Sequence, residues 1–216
     1  MLKLYHFPIS PNSRRVWITL IEKGLDVELV ELDLRGEQSK PEFLAINPFK
    51  HIPVLVDDGF NVVESLAILD YLEAKYPTPA MLPTDAKDLG IVKMVEMVSA
   101  NELFPTVSQL MPVIFNLPTQ NEAAIEQAKI KISTVLQFFE GMLDQRPYFG
   151  SNHLTLADIV AGTIVPMLLL AGISLDEYPK VKAWCDRLIA RPSWTTTQAS
   201  PEAIEGFKQM LMARSA

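Results

Sequence analysis

Three short segments combine residue types that could do chemistry. The first is Phe7-Pro8-Ile9-Ser10-Pro11-Asn12-Ser13-Arg14-Arg15-Val16, where hydroxyls lie between an apolar run and a helical pattern. Free amides and the helix dipole at such a junction favour negative charge, by about 0.3–1 kcal/mol for the dipole alone. Ser10 or Ser13 there either caps the helix or donates a hydrogen bond to an anion. The second segment is Asn47-Pro48-Phe49-Lys50-His51-Ile52-Pro53-Val54-Leu55. Proline cannot donate to a sheet ladder, so Pro53 belongs at a strand start. The Ile52 amide is then either part of a tight entry loop or open to a partner outside the fold. The third segment, Val63-Glu64-Ser65-Leu66, opens a helix, where serine and glutamate suit a cap and glutamate also faces the positive end of the dipole.

The elements that must hold these segments follow from periodicity. Residues 2–7 have the length and apolar content of a strand. Pro11 suits a first helical turn, and Val16, Trp17, Leu20 and Ile21 recur at helical spacing until Gly24. Alternation over 27–32 predicts a half-buried strand, and a short helix is expected from Pro41 to the Asn47-Pro48 stop. Residues 54–56 and 60–63 flank Asp57-Asp58-Gly59, which predicts an antiparallel hairpin. Ile68, Leu69, Leu72 and Tyr76 then form the stripe of a helix opening near Glu64. The order βαβ, α, ββα predicts one sheet with helices packed on it.

Pro77, Pro79 and Pro83 forbid a helix through the next stretch, which sets a domain boundary between residues 1–77 and 84–216. Beyond it the pattern is all-α, with helices expected over 85–116, 119–144, 155–170, 178–190 and a shorter C-terminal piece. Thr119-Gln120-Asn121-Glu122 reads as a capping box, and Thr155-Leu156-Ala157-Asp158 as a variant with aspartate in third place, stapled by Leu154 and Ile159. Pro105, Pro112 and Pro118 should kink or end the first long helix. Trp17, Trp184 and Cys185 read as packing residues, His153 as a loop residue. Met97, Asn101, Phe104, Pro105, Ser108 and Met111 form a stripe that serves either as core or as an adaptable apolar surface.

Composition excludes several functions. With 216 residues, 49% apolar and 21% charged, the chain is globular rather than disordered. Its 19 basic and 26 acidic side chains give −7, a sign that repels nucleic acid and anionic membrane. One cysteine, Cys185, cannot make an internal disulfide, a two-cysteine redox motif or a zinc cage. No apolar leader follows Lys3, and the longest apolar run, 159–173, falls short of the ~20 residues that span a bilayer. The expected compartment is the cytoplasm.

The order and spacing of the three segments resemble the glutathione S-transferase family, serine-type, near its phi, theta and zeta classes. The matches are Ser10 with Arg14-Arg15-Val16, Ile52-Pro53 before the third strand, and Glu64-Ser65 after the hairpin. Gly36-Glu37, Pro41-Glu42-Phe43-Leu44 and Asn47-Pro48-Phe49 add to it, as do 154–159 and Pro179 through Arg191-Pro192 in the helical half. The resemblance implies a thioredoxin-like N-terminal domain that binds glutathione, followed by an all-α domain that supplies the electrophile pocket. Pro53 would be cis, and the Ile52 backbone would pair with the cysteinyl part of glutathione. Glu64 and Ser65 would hold the γ-glutamyl end, and Lys50 and His51 lie in the loop that meets the glycyl carboxylate. Gln38 and Ser39 replace the basic pair often found after Gly-Glu.

The implied reaction is conjugation of glutathione, the co-substrate, to small hydrophobic electrophiles in detoxification, with peroxide reduction as a side activity and no metal. Ser10 would stabilise the thiolate, Ser13 being the alternative donor and Tyr5 a lesser one. A homodimer is expected on resemblance, with neither nucleic acid nor membrane as partner. Competing readings are a glutathione-dependent isomerase or dehalogenase and a non-catalytic transferase-like module.

Overall fold

β1 (Leu2–His6) sits inside a four-stranded sheet of order β2-β1-β3-β4. It runs parallel to β2 (Val27–Glu31) with Leu4 opposite Leu29, and antiparallel to β3 (Val54–Asp57) with Leu4 opposite Leu55. β4 (Phe60–Val63) completes the hairpin, Asp57 facing Phe60 across the turn. The parallel pair demands a crossover, which α1 (Pro11–Glu22) supplies. In this computed structural model the described residues are Met1–Pro118 and Asn121–Ser215. The observed βαβ-α-ββα order is the expected one, with α2 (Pro41–Leu44) short and α3 (Ser65–Lys75) closing the motif. A single 3₁₀ turn, Glu37–Ser39, precedes α2 and was not anticipated.

Burial corrects two details. The strand at 27–32 was expected to be half-buried, but β2 is an edge with Leu29 38% exposed, and only Leu32 beyond it is enclosed, against Phe43 and Val54. On α1 the fully buried aliphatics are Val16, Ile18 and Leu20, whereas Trp17 and Ile21 are half-buried. Gly24, at φ +64°, ends α1, its amide reaching the Ile21 carbonyl and the Leu25 amide the Leu20 carbonyl. Only glycine takes that left-handed turn without cost.

By their internal contacts the residues form two units, one from Met1 to Pro79 joined by the chain from Pro192 on, the other from Ala80 to Arg191. The last segment therefore differs from the expectation that 84–216 is one helical domain. Polar and aromatic links explain it. Arg14 donates to the Trp194 carbonyl at 2.9 Å and to Thr197 Oγ1 at 3.1 Å, and Ser193 Oγ donates to Glu22 at 2.5 Å. These hold α11 (Pro192–Thr196) on α1, while Phe207 of α12 (Pro201–Ser215) packs its ring 5.8 Å from Phe7. The linker start is pinned too, since the buried Lys23 ammonium reaches Glu73 and the Tyr76 and Pro79 carbonyls.

Among its described residues the regular elements of the second unit are all helices, with one isolated bridge between Tyr148 and Ser151. The helix expected over 85–116 is broken into α4 (Ala86–Val98), a π turn at Ser99–Leu103, α5 (Phe104–Ser108) and α6 (Met111–Ile114), with Pro105 and Pro112 in the first turns of the last two. Thr119 and Gln120 of the expected capping box lie outside the described residues, and α7 (Glu122–Met142) is capped by Asn121, whose side chain accepts the Ala124 amide at 3.0 Å. The helix expected over 155–170 divides into α8 (Leu156–Gly162) and α9 (Val165–Leu170), with Pro166 opening the second. α10 (Pro179–Ile189) places Trp184 in an edge-on aromatic chain with Phe149 at 5.2 Å and Phe139 beyond.

The second capping motif forms as expected and does more. Asp158 Oδ2 accepts the Thr155 amide at 2.7 Å and its hydroxyl at 2.6 Å, while Oδ1 accepts the Phe149 amide at 3.0 Å and Trp184 Nε1 at 2.8 Å. Burial pushes this carboxyl up to about 6 against the pull of those four donors. Cys185 is buried and its thiol is pushed up to about 11, so it is inert packing. No helix of the described residues is long and apolar enough to cross a membrane.

Candidate active site

Ser10 is the N-cap of α1, in extended backbone at φ −71°, ψ 118°. Its Oγ accepts the Ser13 amide at 3.3 Å, and its amide donates to the Phe7 carbonyl at 3.0 Å. Ser13 is different: it is buried, and its Oγ accepts the Phe7 amide at 3.2 Å. The two hydroxyls thus divide the work, Ser13 fixing the loop internally and Ser10 standing half-exposed at the positive end of the helix. The Tyr5 ring packs edge-on against Phe43 at 6.0 Å.

The second expected segment enters β3 through a cis Ile52-Pro53 bond. Ile52 lies outside the β3–β4 ladder, whose first pair is Val54 opposite Val63. The loop before it is shaped by Asn47, a fully buried side chain that donates to the His51 carbonyl at 2.8 Å and accepts the Phe49 amide at 3.0 Å. Lys50, at φ +61°, turns the chain there, and both Lys50 and His51 are exposed. Asn47 was legible only as a helix stop. Its buried amide is what a polar residue needs to brace a loop without regular structure.

Glu64 adopts φ +66° with ψ +116°, outside the ordinary left-handed well, and makes no side-chain cap on α3. A non-glycine residue held there costs roughly 1–3 kcal/mol, and such residues cluster where a chain is shaped for function. Its carboxylate is exposed, 3.8 Å from His51 Nδ1, which draws the second and third segments together. Ser65 is buried, and its Oγ accepts Arg15 Nη1 at 3.4 Å. That contact joins α1 to the opening of α3.

The direction of the arginine pair is now plain: Arg14 serves the C-terminal segment, and Arg15, 1% exposed, serves Ser65. The signal for Arg15 was present in the spacing Pro11, Arg15, Ile18, which puts a charge on the buried stripe of α1. Ser10 makes no hydrogen bond to Glu64, Ser65 or Ile52 among the described residues. Arg15 ties α1, which Ser10 caps, to Ser65. Met97 is 42% exposed, and Asn101, Pro105 and Ser108 are exposed as well, so the Met/Phe stripe is surface rather than core. Among the described residues no group of three His, Cys, Asp or Glu side chains is disposed to hold a metal.

This arrangement offers an anion-favouring helix start with a hydroxyl, an Ile52 backbone that stands outside the β3–β4 ladder, and a carboxylate–hydroxyl–guanidinium group. Comparison with known proteins shows the family. The family models described as glutathione S-transferase N-terminal domain and C-terminal domain match residues 4–80 and 90–192. Glutathione S-transferase 3 of Zea mays is 36% identical over 211 residues, covering 92% of this chain and 94% of its own. The crystal structure of glutathione transferase F7 from Populus trichocarpa is 31% identical with a TM-score of 0.79, covering 94% of this chain and 99% of that one. A glutathione transferase homologue from Sulfitobacter, solved with bound glutathione, is 27% identical with a TM-score of 0.77 over 91% and 96% of the two chains. The chain belongs to the glutathione S-transferase family.

Proposed function

We propose that this protein conjugates the thiolate of glutathione to hydrophobic electrophiles, with Ser10 donating the hydrogen bond that keeps the sulfur ionised. The carrying observation is the division between the serines: Ser10 Oγ accepts the Ser13 amide and keeps its own proton to donate, whereas Ser13 is buried under the Phe7 amide. A thiol of pKa near 8.5 is only about 3% ionised at pH 7, and lowering it by ~2 units takes roughly 2.7 kcal/mol. A charge-assisted bond of about 1.5–3 kcal/mol, with the dipole of the 12-residue α1, suffices.

Glutathione lies along this unit in the proposed complex. The cysteinyl backbone pairs with Ile52 beside cis Pro53, and Lys50 supplies positive charge, with the His51 ring beside it, toward the glycyl carboxylate. Glu64 takes the γ-glutamyl ammonium and Ser65 its carboxylate. Arg15, by donating to Ser65 Oγ, turns that hydroxyl proton outward, which makes Arg15 a positioning residue. With an aryl halide the sulfur–carbon bond forms as the carbon–halogen bond breaks. Halide leaves with the bonding pair, and the thiol proton has already passed to solvent.

The same reading takes the protein as a cytoplasmic homodimer in detoxification. Exposed Phe49 and Phe60 on the first unit and Met94 and Met97 on the second offer apolar surface to a second copy. The test is turnover with glutathione against aryl halides, isothiocyanates and organic peroxides, alongside calorimetric glutathione binding. Conjugation with saturable glutathione dependence is expected. Binding without turnover would make the protein a non-catalytic module, and absence of both would overturn the reading.

A further inference from the structure

β2 is an edge of the sheet. It bonds to β1 alone, in a continuous register from Leu2 opposite Val27 to His6 opposite Glu31. The Leu32 amide reaches the His6 carbonyl at 3.0 Å, which fixes the phase of the parallel ladder. The backbone groups of Glu28 and Val30 therefore face β1, and those of Val27, Leu29 and Glu31 face outward. None of these outward amides or carbonyls finds a partner among the described residues.

Exposed edges are commonly blunted by proline, lysine or a bulge. β2 has none of these, and its central side chain, Leu29, is 38% exposed. It carries charge of one sign instead. Asp26, Glu28, Glu31 and Asp33 are all exposed along this short stretch. Lys3 answers Glu28 at 3.1 Å and Arg35 lies 3.7 Å from Asp33, whereas Asp26 and Glu31 have no ion pair among the described residues. A second copy would bring its own carboxylates to the same edge, and like charges on paired strands are destabilising. A basic chain meets both the outward hydrogen-bonding groups and the unanswered carboxylates.

We propose that β2 is a docking edge for an extended basic segment of another protein, which adds a fifth strand to the four-stranded sheet through Val27, Leu29 and Glu31. The main chain supplies the affinity, and Asp26 and Glu31 the choice of partner. The edge uses none of the residues assigned to glutathione, so the proposal stands apart from the conjugation reading.

The probe is a capped, fluorescein-labelled hexapeptide of alternating lysine and valine, titrated against the full chain by anisotropy, with amide exchange followed by NMR. Saturable binding is expected, weakening about fivefold from about 50 to about 500 mM salt, with the Leu29 and Glu31 amides protected from exchange. The same peptide N-methylated throughout keeps its charge and should bind at least about tenfold more weakly. Leu29→Pro removes an outward donor and no ladder bond, and should weaken binding about fivefold. Glu31→Lys, a surface change that leaves the backbone alone, should weaken it about tenfold. Binding without protection of the two amides, or equal binding of the methylated peptide, would put the peptide on the acidic surface and off the edge, and the proposal falls. Absence of saturable binding, or equal binding of a glutamate–valine counterpart, overturns it as well. Protection of both amides on raising protein concentration alone would give the edge to a second copy, which also overturns it.

Discussion

Glu64 carries a backbone cost that a pair of substitutions can separate from its binding role. At φ +66°, ψ +116° it occupies a conformation worth roughly 1–3 kcal/mol against the fold. Glu64→Ala keeps that cost and removes the carboxylate. Glu64→Gly removes both, while the freer unfolded chain takes back about 0.4–1 kcal/mol. The difference leaves Glu64→Gly about 1 kcal/mol more stable than Glu64→Ala, or ~2–4 °C in Tm for a chain of this size. Neither variant loses a cap, since Glu64 makes none, and its pair with His51 is too exposed to add much. Both should lose one charge-assisted contact to glutathione, weakening calorimetric affinity by about 10–100-fold. Urea titrations of the three proteins with parallel calorimetry give the answer. A glycine variant no more stable than the alanine one would refute the strain. Unchanged affinity in both would refute the role of the carboxylate.

Three other outcomes follow from the same physics. Burial raises Asp158 to about 6 against ~3.9 unfolded, so its proton-linked stability is full below pH ~4 and is lost as pH rises through 6. Between pH 5 and 7.5 this amounts to about 1.4 kcal/mol, and urea titrations should show the deficit of Asp158→Asn shrinking by that much, a pH-independent deficit counting against it. Gly150→Ala places a methyl 2.8 Å from the Asp88 carbonyl at φ +64°, and should cost about 2–4 kcal/mol in unfolding free energy. A loss under 1 kcal/mol would mean the α4 backbone yields there. Ser13→Ala strips the Phe7 amide of its acceptor and should cost about 1–2 kcal/mol of stability while leaving the bound thiol's titration in place, and a shifted titration would contradict the division of the serines.

Much of this was legible in the residues because the signals were local. Pro11, Gly24 and the Asp58-Gly59 turn each dictate backbone geometry, and the βαβ-α-ββα order followed from them. The capping aspartate was legible for the same reason, although its ties to Phe149 and Trp184 were not, since they span 9 and 26 residues. Long-range contacts were also what hid the fate of the C-terminal segment: Arg14 to Thr197 bridges 183 residues and leaves no periodic trace. Of the site, the three segments were visible, and the links that join them, Arg15 to Ser65 and His51 to Glu64, needed the fold. The positive φ of Glu64 had no sequence signal at all, because glutamate is an ordinary helix opener.

The central claim is that Ser10 holds the glutathione sulfur as a thiolate. Its most direct test is the ultraviolet thiolate absorbance of the glutathione complex, titrated in the parent and in Ser10→Ala. The bound thiol should ionise ~2 units below its free value of about 8.5 in the parent, and 1–2 units higher than that in Ser10→Ala (roughly 1.4–2.7 kcal/mol of lost stabilisation). Coincident titrations of parent and variant, with glutathione bound in both, would contradict it.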